Sequence, residues 1–105
     1  MEDAHPSLLR VERALSEARR ADLGIPGWPT WKEGEGDRVL FHEVAEQSYF
    51  LAGSATLTPE GGEPATIQPG DLVLVPAGHC RWQVHETVRR HYRVEALTPA
   101  CCTVY

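Results

Sequence analysis

The sequence predicts an all-β domain, a sandwich or barrel, preceded by a single helix. Three observations carry that expectation. From Trp31 onward no helical period survives, and short β-rich runs (38–43, 47–52, 54–58, 65–68, 72–75, 80–85 and 89–97) alternate with Gly/Pro turns. Residues 6–23 (PSLLRVERALSEARRADL) instead repeat apolar side chains at three- and four-residue steps. The chain has 105 residues and 11.7 kDa, enough for one domain with one core.

The helix is read from its stripe and its ends. Leu8, Val11, Leu15 and Ala18 fall on one face, with Glu and Arg on the other. Ser7 can cap its start, and Gly24 with Pro26 stops it. Gly24-Ile25-Pro26-Gly27-Trp28-Pro29 cannot continue a helix, so the β body begins there. Pro59-Glu60-Gly61-Gly62-Glu63-Pro64 is a hairpin tip whose glycines accept positive φ. Gln68-Pro69-Gly70-Asp71 and Pro76-Ala77-Gly78 are further turns. These marks divide the chain into a helical extension (1–25), a β domain (26–97) and a tail (98–105). Trp28 and Trp31 are expected to pack the N-terminal arm against that domain.

Composition narrows the function classes. Ten Lys+Arg against fifteen Asp+Glu give a formal charge of -5, the wrong balance for a nucleic-acid backbone binder. No apolar run approaches the ~20 residues of a bilayer span. The opening MEDAHPSLLR lacks the apolar centre of an export leader, so a cytoplasmic location is expected. The three cysteines, Cys80, Cys101 and Cys102, are an odd number without a disulfide spacing and read as reduced thiols.

Two segments go beyond generic β texture. His42 precedes Glu46-x6-Gly53 (EQSYFLAG), and Gly70-x5-Pro76-x-Gly78 (GDLVLVPAG) follows after two strands and the 59–64 hairpin. In this order and separation they resemble the two motifs of the cupin superfamily (RmlC-like). With Trp28-Pro29-Thr30-Trp31 and Thr87-Val88-Arg89-Arg90-His91-Tyr92, the chain resembles the small single-domain cupins grouped with (S)-ureidoglycine aminohydrolase. The resemblance spans residues 26–96. It implies a jelly-roll β-barrel with one open mouth, and in metal-binding relatives a divalent cation held there by imidazoles and a carboxylate.

Carried over residue by residue, the resemblance puts His42 at a histidine position and Glu46 at the carboxylate position. Leu40 stands where another histidine is usual, and Cys80 takes the slot before Trp82. Side chains alternate across a strand. Cys80, Trp82 and Val84 therefore share the inner face, and Arg81, Gln83 and His85 the outer one. Glu46, Ser48 and Phe50 also face inward, as do Leu40 and His42, while Tyr49 faces away and suits a second sheet or a dimer contact. Val88, Arg90, Tyr92 and Val94 form the apolar side of 88–94, which turns His91 outward.

Two site readings follow. His42, Glu46 and Cys80 would hold Mn, Fe or Zn with an open position for water. Alternatively Glu46 and His42 form a metal-free acid/base pair. Ser48, Cys80, Trp82, Arg90 and Tyr92 line the expected pocket for a small polar metabolite such as an amide, ureide or carbohydrate. Arg90 reads either as half of a solvated pair with Arg89 or as an inward anchor for an anionic substrate. His85 or His91 could replace a missing ligand. The chain is then a metal-dependent enzyme like the aminohydrolase, a metal-free binding or sensing module, or a structural homodimer with an incidental pocket.

Overall fold

Two long strands carry the architecture. The computed structural model describes residues 9–94. Along the chain these form β1 (Arg10–Glu12), α1 (Glu17–Leu23), a 3-10 turn (Ile25–Gly27), β2 (Thr30–Glu33), β3 (Gly36–His42) and β4 (Glu46–Pro59). β5 (Ala65–Ile67), β6 (Leu72–Val75) and β7 (Gly78–Val94) follow. β4 and β7 pair antiparallel from Glu46↔Val94 to Pro59↔Cys80. Each also takes one partner along each half. β6 lies on residues 46–49 of β4 and β5 on residues 55–57. β2 lies on residues 88–91 of β7 and β3 on residues 78–84. β1 adds to the free edge of β6, completing a seven-stranded antiparallel sheet.

That sheet bends across the middle of β4, at a bulge. The β4–β7 register shifts three times between Phe50 and Ala55. Before the bulge the inward residues are Ser48 and Phe50; after it they are Ala55 and Leu57. A regular strand alternates with period two, so the change from even to odd needs an extra residue. Gly53 supplies it at φ +82, where a Cβ would lie only 2.0 Å from the Thr87 carbonyl oxygen. The runs at 47–52 and 54–58 are thus one bent strand, and the run at 80–85 and the described part of 89–97, up to Val94, both belong to β7. Both halves of the sheet feed one core. Phe50, Ala55 and Leu57 of β4 meet Ile67, Val73 and Val75 of β5 and β6, and Cys80, Trp82, Val84 and Val88 of β7. Each large side chain so buried contributes about 1.5–3 kcal/mol.

The N-terminal stretch corrects the helix expected over 6–23. The helix covers only Glu17–Leu23, and Arg10–Glu12 is a strand with Val11 opposite Val73. Its cap is Ser16, whose Oγ accepts from the Arg19 N–H at 3.1 Å, while Gly24 ends it in the expected left-handed conformation. Ser7 and Leu8 lie outside the described residues, as do Cys101, Cys102 and the 98–105 tail. The physical reason is competition for backbone groups. A short isolated helix is marginal, whereas β6 offers an unpaired edge and Asp71 a carboxylate. Asp71 accepts from Ala14 N–H (3.0 Å), Gln68 N–H (3.0 Å) and the Arg13 guanidinium (2.9 Å). Leu15 N–H donates to the Gly70 carbonyl at 2.8 Å. Ala14 is thereby held at φ 46, a left-handed conformation that breaks a helix.

Leu15, Ile25 and Trp28 cluster with Tyr49 and Leu72 on the outer face of β4 and β6. Trp28 packs the arm against the barrel as expected, and Tyr49 lies under that arm. Trp31 does not: it is 55% exposed and its indole N–H donates to Glu33. Among the described residues no helix is long and apolar enough to cross a membrane.

Gly53→Ala should therefore destabilise the domain by about 3 kcal/mol in urea melts; a neutral substitution would contradict the close β4–β7 approach. Asp71 gives a pH prediction. Burial opposes its ionisation, but the Ala14, Gln68 and Arg13 bonds outweigh it and hold its pKa below the ordinary value. Its stabilisation is thus complete above the unfolded value of about 3.9 and disappears as pH falls through the lower folded value. Asp71→Asn should cost about 1–3 kcal/mol near neutral pH and flatten the acid limb of a stability–pH curve. An unchanged limb would exclude Asp71 as its source.

Candidate functional site

His42 ends β3 and Glu46 begins β4, so the residues between them cross the open end of the barrel. The two side chains face each other there, with His42 Nδ1 3.5 Å from Glu46 Oε1. On the other side of the ring, Trp82 Nε1–H points at His42 Nε2 at 3.4 Å. An indole nitrogen only donates, so Nε2 carries the lone pair and the proton sits on Nδ1, toward the carboxylate. The predicted pairing of Glu46 and His42 at the mouth is present.

The stronger partner of Glu46 is Arg90. Its side chain comes inward from β7, opposite Phe50 of β4 and Trp31 of β2. Nη1 donates to Glu46 Oε2 and, at 2.8 Å, to Ser48 Oγ. Ser48 in turn donates to the same Oε2 at 3.1 Å. Nη2 lies 3.6 Å from Glu33 Oε1, and Glu33 Oε2 accepts from Arg38 at 3.0 Å. The guanidinium carbon sits 5.0 Å from the Trp82 ring centroid and 5.6 Å from that of Tyr92. Arg90 is only 5% exposed, which corrects the solvated reading. The anion-anchor reading is also set aside, because Nη1 is already committed to Glu46 and Ser48.

This environment sets the charge on Glu46. Burial pushes its pKa up, but the His42 hydrogen bond and the charge and hydrogen bond of Arg90 outweigh burial. The carboxyl is held below the ordinary carboxylate range and is ionised at neutral pH.

Cys80 does not join the pair. It lies opposite Leu40, within the apolar core, and its thiol contacts the Arg81 carbonyl. Burial pushes the thiol pKa up to about 11, partly opposed by the Thr58 backbone. A protonated core thiol is a poor metal ligand and a poor nucleophile. His91 turns to the Trp28 carbonyl, and His85 to Thr56 on the outer face. Neither replaces a ligand. Among the described residues no three His, Cys, Asp or Glu side chains converge. The donor set at the mouth, one imidazole engaged at both nitrogens and one carboxylate bound to arginine, does not fit a divalent cation.

An open cavity of about 440 Å³ lies over this cluster, lined by Phe41, His42, Glu43, Val44, Glu46 and Val94. Ser48, Cys80, Trp82, Arg90 and Tyr92, expected as pocket wall, are not among its lining residues. Arg90 reaches toward the mouth from inside and is stopped at Glu46, which becomes the floor. Sequence reasoning missed Glu33, because its strand, β2, carried no recognised β signal. It also missed the apolar lip of Phe41, Val44 and Val94, since Phe41 lies on the outward phase of β3 and is exposed.

A bent antiparallel barrel with a polar cluster at one open end defines a cupin of jelly-roll type. The chain belongs to the EutQ-like cupin domain family, whose pattern matches residues 20–92. It is similar to a DUF861 family protein of Thermotoga maritima, with 32% identity and a TM-score of 0.77. That likeness covers 83% of this chain and 99% of the other. A DUF861 protein of Pseudomonas syringae pv. tomato str. DC3000 is 29% identical (TM-score 0.56, 63% of this chain and 29% of that one). A DUF1255 protein of unknown function from Acidithiobacillus ferrooxidans is 25% identical (TM-score 0.55, 59% and 60%). A curated relative, a tRNA-dihydrouridine(47) synthase of Chaetomium globosum, is 34% identical over an 85-residue alignment that covers 65% of this chain. The chain spans only 12% of that protein. The narrower likeness to (S)-ureidoglycine aminohydrolase rests on the sequence motifs alone.

The Glu46–Arg90 pair predicts non-additive stability. Glu46→Leu alone should cost about 3 kcal/mol or more, because it leaves a buried guanidinium without its carboxylate. Arg90→Leu in that background should recover much of the loss. Strictly additive losses in denaturant melts would rule out the coupling.

Proposed function

We propose that the protein is a binding module for a small polar metabolite bearing N–H or O–H donors, an amide, ureide or carbohydrate, taken up at the barrel mouth. The observation that carries this reading is the ionised Glu46 at the floor of the cavity. Arg90 and Ser48 fix Oε2, which leaves Oε1, approached among the described residues only by His42 at 3.5 Å, oriented as an acceptor. The other polar residues of the lining are His42 and the acidic Glu43, so the wall favours a donor over an anion. Phe41, Val44 and Val94 supply apolar contact for a carbon frame.

Binding fits better than acid/base catalysis. An effective general base needs a pKa near the working pH, and the surroundings of Glu46 move its value the other way. A carboxylate held this firmly is a poor proton carrier and a good fixed acceptor.

A thermal-shift screen of amides, ureides and sugars tests the proposal. A cognate ligand at 100 times its Kd should stabilise the fold by about 2.7 kcal/mol. Glu46→Gln, which keeps an oxygen for Arg90, should remain folded and lose most of that shift. A ligand that stabilises Glu46→Gln as strongly as the wild type would move the site elsewhere.

A further inference from the structure

We infer that the Arg90 guanidinium is the resident cation of this barrel, standing in place of a divalent metal, so that the intact site takes up no metal ion. The inference concerns the charge balance beneath the cavity and does not depend on which metabolite enters it. Any metal at the mouth would need the Glu46 carboxylate. That carboxylate already has a full positive charge hydrogen-bonded to Oε2, with Ser48 on the same oxygen. A divalent ion on Glu46 would sit beside a guanidinium that is always protonated. Either the two cations would repel or Arg90 would have to leave.

Leaving is obstructed on every side. Arg90 lies in the interior, between Glu46 and Ser48 at one end and Glu33 at the other. Trp82 and Tyr92 place ring faces within cation–π distance. Its Nε is the buried side-chain polar atom left without a hydrogen-bond partner among the described residues, a cost accepted for holding Nη1 on the carboxylate. His42 is no freer: to ligate through Nε2 it must give up the Trp82 indole, and through Nδ1 its proton toward Glu46.

The imidazole–carboxylate frame is therefore neutralised internally. Where a metal ion would be exchangeable and could be stripped by a chelator, this cation is covalently part of β7. It holds Glu46 ionised and oriented whether or not metal is available.

The test uses the untagged protein, incubated with Zn2+, Mn2+ or Ni2+ and desalted. Elemental analysis should find less than about a tenth of an equivalent, and the melting temperature should not move with metal or with EDTA. Arg90→His removes the resident charge and brings a second imidazole toward Glu46. That variant should retain about one equivalent of Zn2+ or Ni2+, with a melting temperature that rises on loading and falls back with EDTA; adding Glu46→Gln should abolish both. Should Arg90→His fail to fold, Arg90→Gln should show a Ni2+-dependent rise in melting temperature that the wild type lacks. Near-stoichiometric metal on the wild type, lost in Glu46→Gln, would overturn the inference. So would a folded Arg90→His protein that binds none, since residue 90 would then not occupy the cation's place.

Discussion

The bend shared by β4 and β7 is the constraint from which the rest of the molecule follows. Two strands paired along their whole length cannot enclose a core unless the ladder turns. The bulge at Gly53 provides the turn while moving the inward phase from Ser48 and Phe50 to Ala55 and Leu57. Without that change one half of β4 would present Thr56 and Thr58 to the interior. With it, the first half of β4 and the second half of β7 bring Glu46, Ser48 and Arg90 together beneath the mouth.

What the bend assembles there is a chain of alternating charge. Arg38, Glu33, Arg90 and Glu46 follow one another through Nη and Oε contacts and end at the His42 ring. Each buried member has an opposite charge beside it, which keeps its desolvation cost bearable. The members come from β2, β3, β4 and β7, so the chain also ties together strands that are far apart in sequence. Its polarity differs at the two ends. One closes on a partly exposed arginine, the other on an imidazole and a carboxylate beneath an acidic, apolar-lipped opening.

Much of this was legible in the sequence, and the parts that were not have physical reasons. Period-two alternation placed Cys80, Trp82 and Val84 on their observed face because that side of the run is apolar, and it put Ser48 in phase with Phe50 and His42 in phase with Leu40, facing inward. Gly70 and Gly78 marked turns, because their positive φ favours glycine, whereas Gly53 was legible only as a break between two runs that its bulge in fact joins. Residues 10–12 misled because Leu8, Val11, Leu15 and Ala18 also satisfy a helical period, and no local signal reveals that β6 will offer an edge. Arg90 was ambiguous for a related reason. Adjacent to Arg89 it looks solvated, and only carboxylates distant in sequence, Glu33 and above all Glu46, 44 residues away, make an inward guanidinium tolerable. Cys80 was placed on the correct face, but facing inward did not bring it to the mouth.

The Asp71 clamp also orders events in time. Ala14 and the carboxylate that receives its N–H are separated by 57 residues, and the other docking groups for this arm, Gly70 and the β6 edge, lie in the same later segment. On a ribosome the arm therefore emerges before any of its partners has been made. It must wait, solvated, while β2 to β5 are synthesised, and it can settle only when the turn at Gln68–Asp71 has formed. Its fastening is thus deferred until a segment 57 residues further along has been made, yet that segment still precedes β7, the strand that completes the barrel.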